Sequence, residues 1–398
     1  MKKIIFILFA IAFSSLNIKA QEPFKVSNGN NVLEIGGIVS SYVNLRDYPA
    51  GVTPKLKNNT FKLKDARLDL NGKFGKDFDM HVQLDFASIG ATYDPASPLL
   101  NDAHVTYKGL KKLFNIRFGY GKLPYSLNSF IDHEWAPYWE RPLVTKGDFF
   151  SRRDIGLRLD RSFWKDRIKA FAGMYTGTGE LSLTGENDPS GDFEYIGRVE
   201  LGYPERKKDY ELAVDTKVSS TPNIQIGING RYANKRLPDG SSFILGEAGA
   251  LVDDPYNFKV VNGKKVLLGA DVAFLYKGFS LQAEAHSLKG TLKNPNDPLL
   301  FNTGASGNNY FKAFGWFACG NYYLKPAKSI FSVRYEQLDA NDLIPGSGTR
   351  VAYSYCYQIK GFHSMIRAEM YNILTQTEFI NNSSWKNQFR IGWQFVIE

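Results

Sequence analysis

Residues 78–86 read FDMHVQLDF, with Phe78, Met80, Val82, Leu84 and Phe86 on one parity and Asp79, His81, Gln83 and Asp85 on the other. A strict period of two describes an extended strand with one oily and one wet face. The pattern recurs along the chain. Ala66, Leu68 and Leu70 alternate with Asp65, Arg67, Asp69 and Asn71, and Phe114, Ile116, Phe118 and Tyr120 with Asn115, Arg117 and Gly119. Further on, Tyr195, Val199 and Leu201 oppose Arg198 and Glu200; Phe331, Val333 and Tyr335 oppose Arg334 and Glu336; Ile366, Ala368 and Met370 oppose Arg367 and Glu369. Many two-faced strands imply a sheet wet on one side and apolar on the other.

The N-terminus carries a secretory signal. Lys2 and Lys3 precede an apolar run from Ile4 to Phe13, which is too short to cross a bilayer as a helix, a task needing about 20 residues. A small-residue site follows, placing cleavage after Ala20 and leaving residues 21–398 as one mature domain. Residues 21 to about 30 read as a loose arm. An exported chain with this alternation is either soluble outside the inner membrane or a β-barrel, and a polar average does not exclude the barrel, because every second strand residue is polar.

Connections alternate in length. KFGKD, KGLKK and KGFS are short, whereas the stretches 122–153, 177–192, 237–264 and 288–309 are long and rich in Gly, Pro, Asn and Asp. Short turns at one rim and long loops at the other are the plan of an outer-membrane barrel. The 378 residues after Ala20 accommodate about 16 strands with their connections. The chain end fits: Phe389, Ile391, Trp393, Phe395 and Ile397 share one face, and Arg390-x-Gly392-x-x-Phe395-x-Ile397 looks like the signal that barrel-assembly machinery reads on a last strand, except that Glu398 follows.

Several classes lack support. The formal charge of +9 falls to +6 once Lys2, Lys3 and Lys19 leave with the signal, and the bases are dispersed, unlike a nucleic-acid arm. Cys319 and Cys356 make no disulfide framework. His81, His104, His133, His286 and His363 form no metal spacing, although His81 and His104 could share a lumen face. No nucleophile elbow is present, and Gly177-Thr178-Gly179 reads as a turn. The residues therefore imply no enzyme and no cofactor.

Phe61-x-Leu63-Lys64-x-Ala66-Arg67-Leu68, Gly119-x-x-Lys122-x-Pro124-Tyr125-Ser126, Glu140-Arg141-Pro142, Arg153-x-x-Gly156 and Arg334-Tyr335-Glu336 occur in this order. In these motifs the chain resembles the phosphate-selective porin O and P family in a Bacteroidetes-like version. The resemblance implies an all-β fold, a transmembrane antiparallel β-barrel of about 16 strands with an inward-folded constriction loop. It also implies a homotrimer in outer-membrane lipid and passive diffusion of small anions.

Selectivity in a water-filled pore comes from its width and from the charge at its narrowest level. Arginine suits phosphate-like anions through its planar fork. Parity turns Arg67, Arg117, Arg158, Arg198, Arg334, Arg367 and Arg390 inward, and segment 122–153 adds Lys122, Arg141, Lys146, Arg152 and Arg153 as pore-lining or anion-binding candidates. The same segment carries Asp132, Glu134, Glu140 and Asp148, so the expectation is weak anion selectivity rather than strict phosphate specificity. Each arginine has a second reading, a wall-stiffening salt bridge to an acid such as Asp69 or Asp85. Trp135, Tyr138, Trp139, Phe149 and Phe150 either pin the segment or form a greasy track for sugars. The rival functions are a secreted or surface carbohydrate-binding β protein, and a barrel adhesin or enzyme.

Overall fold

The computed structural model describes residues 23–47, 59–88, 99–110, 113–145, 150–177, 190–236, 262–293, 309–339, 347–375 and 387–397, with 179 and 342. The expected signal, residues 1–20, and Lys146, Asp148 and Phe149 lie outside them.

Hairpins with tight turns build the wall. After β1 (Phe24–Asn28) come β2 (Asn31–Asp47), β3 (Asn59–Phe74), β4 (Phe78–Asp85), β5 (Leu100–Tyr107) and β6 (Asn115–Lys122). Then follow β7 (Arg153–Phe163), β8 (Ile168–Tyr175), β9 (Glu194–Tyr203), β10 (Asn223–Lys235) and β11 (Gly263–Tyr276). The last six are β12 (Phe279–Leu292), β13 (Tyr310–Leu324), β14 (Ser329–Asp339), β15 (Gly348–Lys360), β16 (Ser364–Thr375) and β17 (Asn387–Ile397). From β2 onward each strand pairs antiparallel with the next, and β17 returns to β2 with Asn387 opposite Asp47 and Ile397 opposite Gly37. Sixteen strands, β2 to β17, thus close a barrel, which leaves no open sheet edge.

Residues 24–28 are not a loose arm. They pair with the first residues of β2, Phe24 opposite Ile35 and Asn28 opposite Asn31. β2 starts below the end of β17, so its first backbone groups would otherwise lack partners, and β1 supplies them.

Burial is inverted relative to a water-soluble protein. Large apolar side chains stand exposed on the outer face, Phe118 at 66% and Leu268 at 61%, while Arg198 and Glu200 are buried on the inner face. That is the arrangement of a barrel with hydrocarbon outside. One aromatic row follows the short-turn rim through register neighbours: Tyr276 opposite Phe279, Phe279 opposite Tyr322, Tyr322 opposite Phe331, and Phe331 opposite Tyr355. Such a girdle marks the edge of the apolar band. Among the described residues no helix is long and apolar enough to cross a membrane.

β13 does not alternate in polarity. Its inward residues Phe311, Ala313, Phe317 and Cys319 are buried in an apolar cluster with Tyr138 and Val144 of segment 123–152. Its lumen face packs on protein, so both of its faces are largely apolar, with Lys312 outward and Asn321 inward as exceptions.

Candidate functional site

Segment 123–152 leaves β6 after Lys122 and rejoins the wall at Arg153, its strand partner. In between it crosses the barrel interior. Its described residues contain only short helical turns, at Leu127–Phe130, His133–Trp135 and Leu143–Thr145, so their backbone groups need partners from elsewhere. The far wall supplies them. Glu284 accepts from Ser126 Oγ at 2.5 Å, Asn128 N at 2.7 Å and Asn128 Nδ2 at 3.0 Å. Glu336 accepts from Leu143 N at 2.6 Å and Glu369 from Trp139 N at 2.8 Å. Arg334 donates to Glu140 O at 3.1 Å, Arg367 to Ala136 O at 2.8 Å, and Gln394 to Glu134 O at 2.9 Å. Described aromatic residues of the segment pack against the wall and against its own start. Trp139 is buried between the Tyr42 ring, 5.4 Å away, and the Arg367 guanidinium, 4.4 Å from the Trp139 ring centre. Tyr138 lies under Arg334 at 4.1 Å, and Phe150 packs edge-on against Tyr125 at 4.7 Å.

A second segment, 204–222 between β9 and β10, also folds inward, and the alternation pattern does not reveal it. Leu212, Ala213 and Val214 are buried against Leu127 and Ile131 of the first segment. Gln282 Nε2 donates to Leu212 O at 3.2 Å and Asn321 Nδ2 to Ala213 O at 2.9 Å. The sequence signal is the apolar run Leu212-Ala213-Val214 inside an otherwise charged connection.

Both segments make hydrogen bonds to the side formed by β11 to β17, and the first is also tied to β3 through Glu134 to Arg67 and His133 to Asp65. Against β3 to β8 there remains a cavity of about 420 Å³. Its cations are Lys73, Arg117, Lys122, Arg158 and Lys169, its histidines His81 and His104, its acids Asp79, Asp102 and Asp209, and its aromatic residues Phe130 and Phe171.

The ten candidate cations divide sharply. Arg67 pairs with Asp65 at 3.4 Å and Glu134 at 2.7 Å, rather than with Asp69 or Asp85. Arg198 is clamped by Glu200 at 2.8 Å and Asp271 at 2.5 Å, and its side chain is fully buried. Arg334 meets Glu336 at 2.8 Å, and Arg153 meets Asp102 at 2.9 Å. Arg152 donates to Ser129 O at 2.7 Å and Asp132 at 2.5 Å, and Arg141 to Thr145 O at 3.4 Å. These six hold the interior together. Arg117, Lys122 and Arg158 line the cavity, and Lys146 lies outside the described residues. Lys73 and Lys169 were not among the candidates, although both share the inward parity.

The cavity has a cationic excess. Asp79 is paired with Lys108, Asp102 with Arg153, and Lys122 with Asp132. Asp160 serves both Arg158 at 3.1 Å and Lys169 at 3.7 Å, so one carboxylate faces two cations. Arg117 stands opposite Arg158 in register and donates to Thr106 Oγ1 at 3.3 Å. Among the described residues no carboxylate lies within ion-pair distance of Arg117 or Lys73. Outside the strands, burial alone would raise the Asp132 carboxyl, but Lys122 and Arg152 hold it well below the usual range. Asp209 is different: burial and the nearby Glu200 push it up to about 6.

The His81 and His104 rings lie 5.4 Å apart, tilted by 36°, and His81 Nδ1 meets Asn71 Oδ1 at 2.7 Å. Among the described residues no group of three or more His, Cys, Asp or Glu could hold a metal ion. Cys319 and Cys356 are free and buried on β13 and β15, with β14 between them.

Known structures share this architecture. The outer-membrane channel DcaP of Acinetobacter baumannii aligns with a TM-score of 0.56 at 15% identity, over 94% of this chain and 100% of that one. An anion-selective porin from Comamonas acidovorans aligns at 0.54 and 11%, over 92% and 100%. The trimer form of in-vitro folded OmpT from Vibrio cholerae aligns at 0.54 and 11%, over 92% and 99%. At these identities the likeness establishes the fold. No curated protein matches the chain in sequence. The model of one family does match, over residues 36–235, a span that includes β3 to β10 and the whole of segment 123–152. With its closed barrel and its apolar outer face, this chain belongs to the phosphate-selective porin O and P family and is a porin of the outer membrane.

Proposed function

We propose that the barrel is a passive channel in which small hydrophilic solutes pass along the β3–β8 wall, with a weak preference for anions. The observation carrying this reading is the cavity whose lining cations outnumber its unpaired acids, with Arg117 and Lys73 lacking a carboxylate partner among the described residues. Segment 123–152 acts as the constriction by filling the opposite side of the lumen. A hydrated ion keeps much of its water along such a path and needs no energy source.

Strict phosphate selection is not part of the proposal. Selecting phosphate takes several arginine forks free to donate, and most inward arginines here are already committed to carboxylates or carbonyls. The names of the family and of the Comamonas porin agree with an anion preference. The proposed assembly is a homotrimer, exported by the signal at residues 1–20 and inserted by barrel-assembly machinery.

Single-channel recording in planar bilayers under a salt gradient tests this. The expected reversal potential has the sign of modest anion preference, and added phosphate leaves chloride current largely unblocked. A reversal potential favouring cations would refute the charge argument.

A further inference from the structure

The outer face of β11 to β13 carries a feature that diffusion through the lumen does not use. Lys289 on β12 and Lys312 on β13 are direct cross-strand partners. Both are exposed, on the outward parity, and Lys264 of β11 stands exposed nearby, opposite Thr291. Like charges placed directly opposite each other destabilise a sheet. Both ammonium groups converge on the face of Tyr310, Lys289 Nζ at 4.6 Å and Lys312 Nζ at 5.5 Å from its centre. Among the described residues no carboxylate pairs with any of the three lysines. The nearby Asp342 accepts from the Lys312 backbone N at 2.8 Å.

Position decides what these cations can meet. Phe279, in the aromatic row of the short-turn rim, lies ten residues before Lys289 on the same strand. At about 3.4 Å per residue and a tilt near 40°, that is roughly 25 Å, the height of the apolar band of such barrels. The lysines therefore stand at the headgroup level of the long-loop rim, which faces the outer leaflet. Below them, across β10 to β13, is a shallow apolar groove of about 560 Å³, lined by Ala283, Ala285 and Ala318 with Ile226, Val272 and Trp316. Ala285 lies four residues below Lys289, about 14 Å along the strand.

We propose that this face is a docking site for one phosphate-bearing lipid of the outer leaflet, with its phosphate between Lys289 and Lys312 and an acyl chain in the alanine-lined groove. Two ammonium groups without acidic partners among the described residues are complementary to a phosphate. The small alanine side chains leave room against the wall, on a surface that must meet lipid in any case. The site rests on the outer-membrane location of the barrel and is independent of which solute crosses it.

The test uses the folded full-length mature protein in non-ionic detergent, with native mass spectrometry against monophosphorylated lipid A and its dephosphorylated counterpart. We expect retention of the phosphorylated form. Lys289→Ala with Lys312→Ala should weaken it about thirtyfold, since each basic residue near an anionic surface contributes about fivefold. Lys76→Ala at the opposite rim should leave it unchanged, Ala285→Trp should weaken both lipids by filling the groove, and inorganic phosphate in excess should not compete. A thermal midpoint supplies a second readout: without lipid, Lys312→Ala leaves or raises it by relieving repulsion, and with phosphorylated lipid A the same change lowers it. Equal retention by the double variant, an equal loss in Lys76→Ala, or a midpoint lowered with and without lipid would each overturn the proposal.

Discussion

Arg117 and Arg198 occupy similar inward positions on neighbouring parts of the wall and meet different surroundings. Arg198 sits between Glu200 and Asp271 with no exposed side-chain surface. Its neutralisation leaves buried Asp271 without its cation and Glu200 with Arg206 alone, a loss on the order of 3–5 kcal/mol. Arg198→Gln should therefore lower the temperature at which the barrel loses its heat-modifiable mobility on a gel, and leave ion selectivity unchanged. Arg117→Glu should do the reverse, with nearly unchanged stability and a reversal potential shifted toward cations. Asp209 adds a pH dependence. Its carboxyl, raised to about 6, carries its charge at pH 7.5 and loses it on acidification through that value. The cavity then becomes more positive, so anion preference should rise between pH 7.5 and pH 5. Asp209→Asn should show the raised preference already at pH 7.5, and an unchanged wild-type reversal potential across that range would contradict the assignment. Parity alone turned Arg67, Arg198 and Arg334 inward, but not toward Glu134, Asp271 or the Glu140 carbonyl. Those partners come from distant strands and from the folded segment, and no local pattern encodes them.

Among the elements, segment 123–152 depends on a few wall carboxylates. Glu284 alone accepts three bonds from Ser126 and Asn128. Removing it leaves one end of the segment with unsatisfied groups at about 1–3 kcal/mol each. Glu284→Ala should give larger and noisier single-channel conductance with an intact barrel; a quiet channel of wild-type conductance would show that the segment is held elsewhere. The strand content was readable wherever one face meets lipid and the other meets polar groups, as in β4 and β9. It was obscured in β13, where the inward face packs on the segment and reads as a second apolar face. The inward fold of 204–222 left only its three-residue apolar run as a clue, because a connection is placed by the wall it meets.

For the whole molecule, closure of β17 on β2 and exposure of apolar residues around the outside make a cylinder whose interior is polar but largely filled. Two segments pack against β11 to β17, with ties to β3 at Arg67 and Asp65, and solute is expected to travel through the cavity beside β3 to β8. Blocking by thiol chemistry tests this directly. The protein is made without its native thiols, Cys319→Ser and Cys356→Ser, and a single cysteine is introduced by Arg117→Cys, Lys169→Cys or Ser332→Cys. Arg117 and Lys169 line the cavity, whereas Ser332 faces inward on β14 and is buried. A bulky charged methanethiosulfonate reagent added to a planar bilayer should produce a stepwise fall in single-channel conductance at positions 117 and 169 and none at 332. A fall at 332 with no response at 117 or 169 would place the path on the other wall and contradict the account.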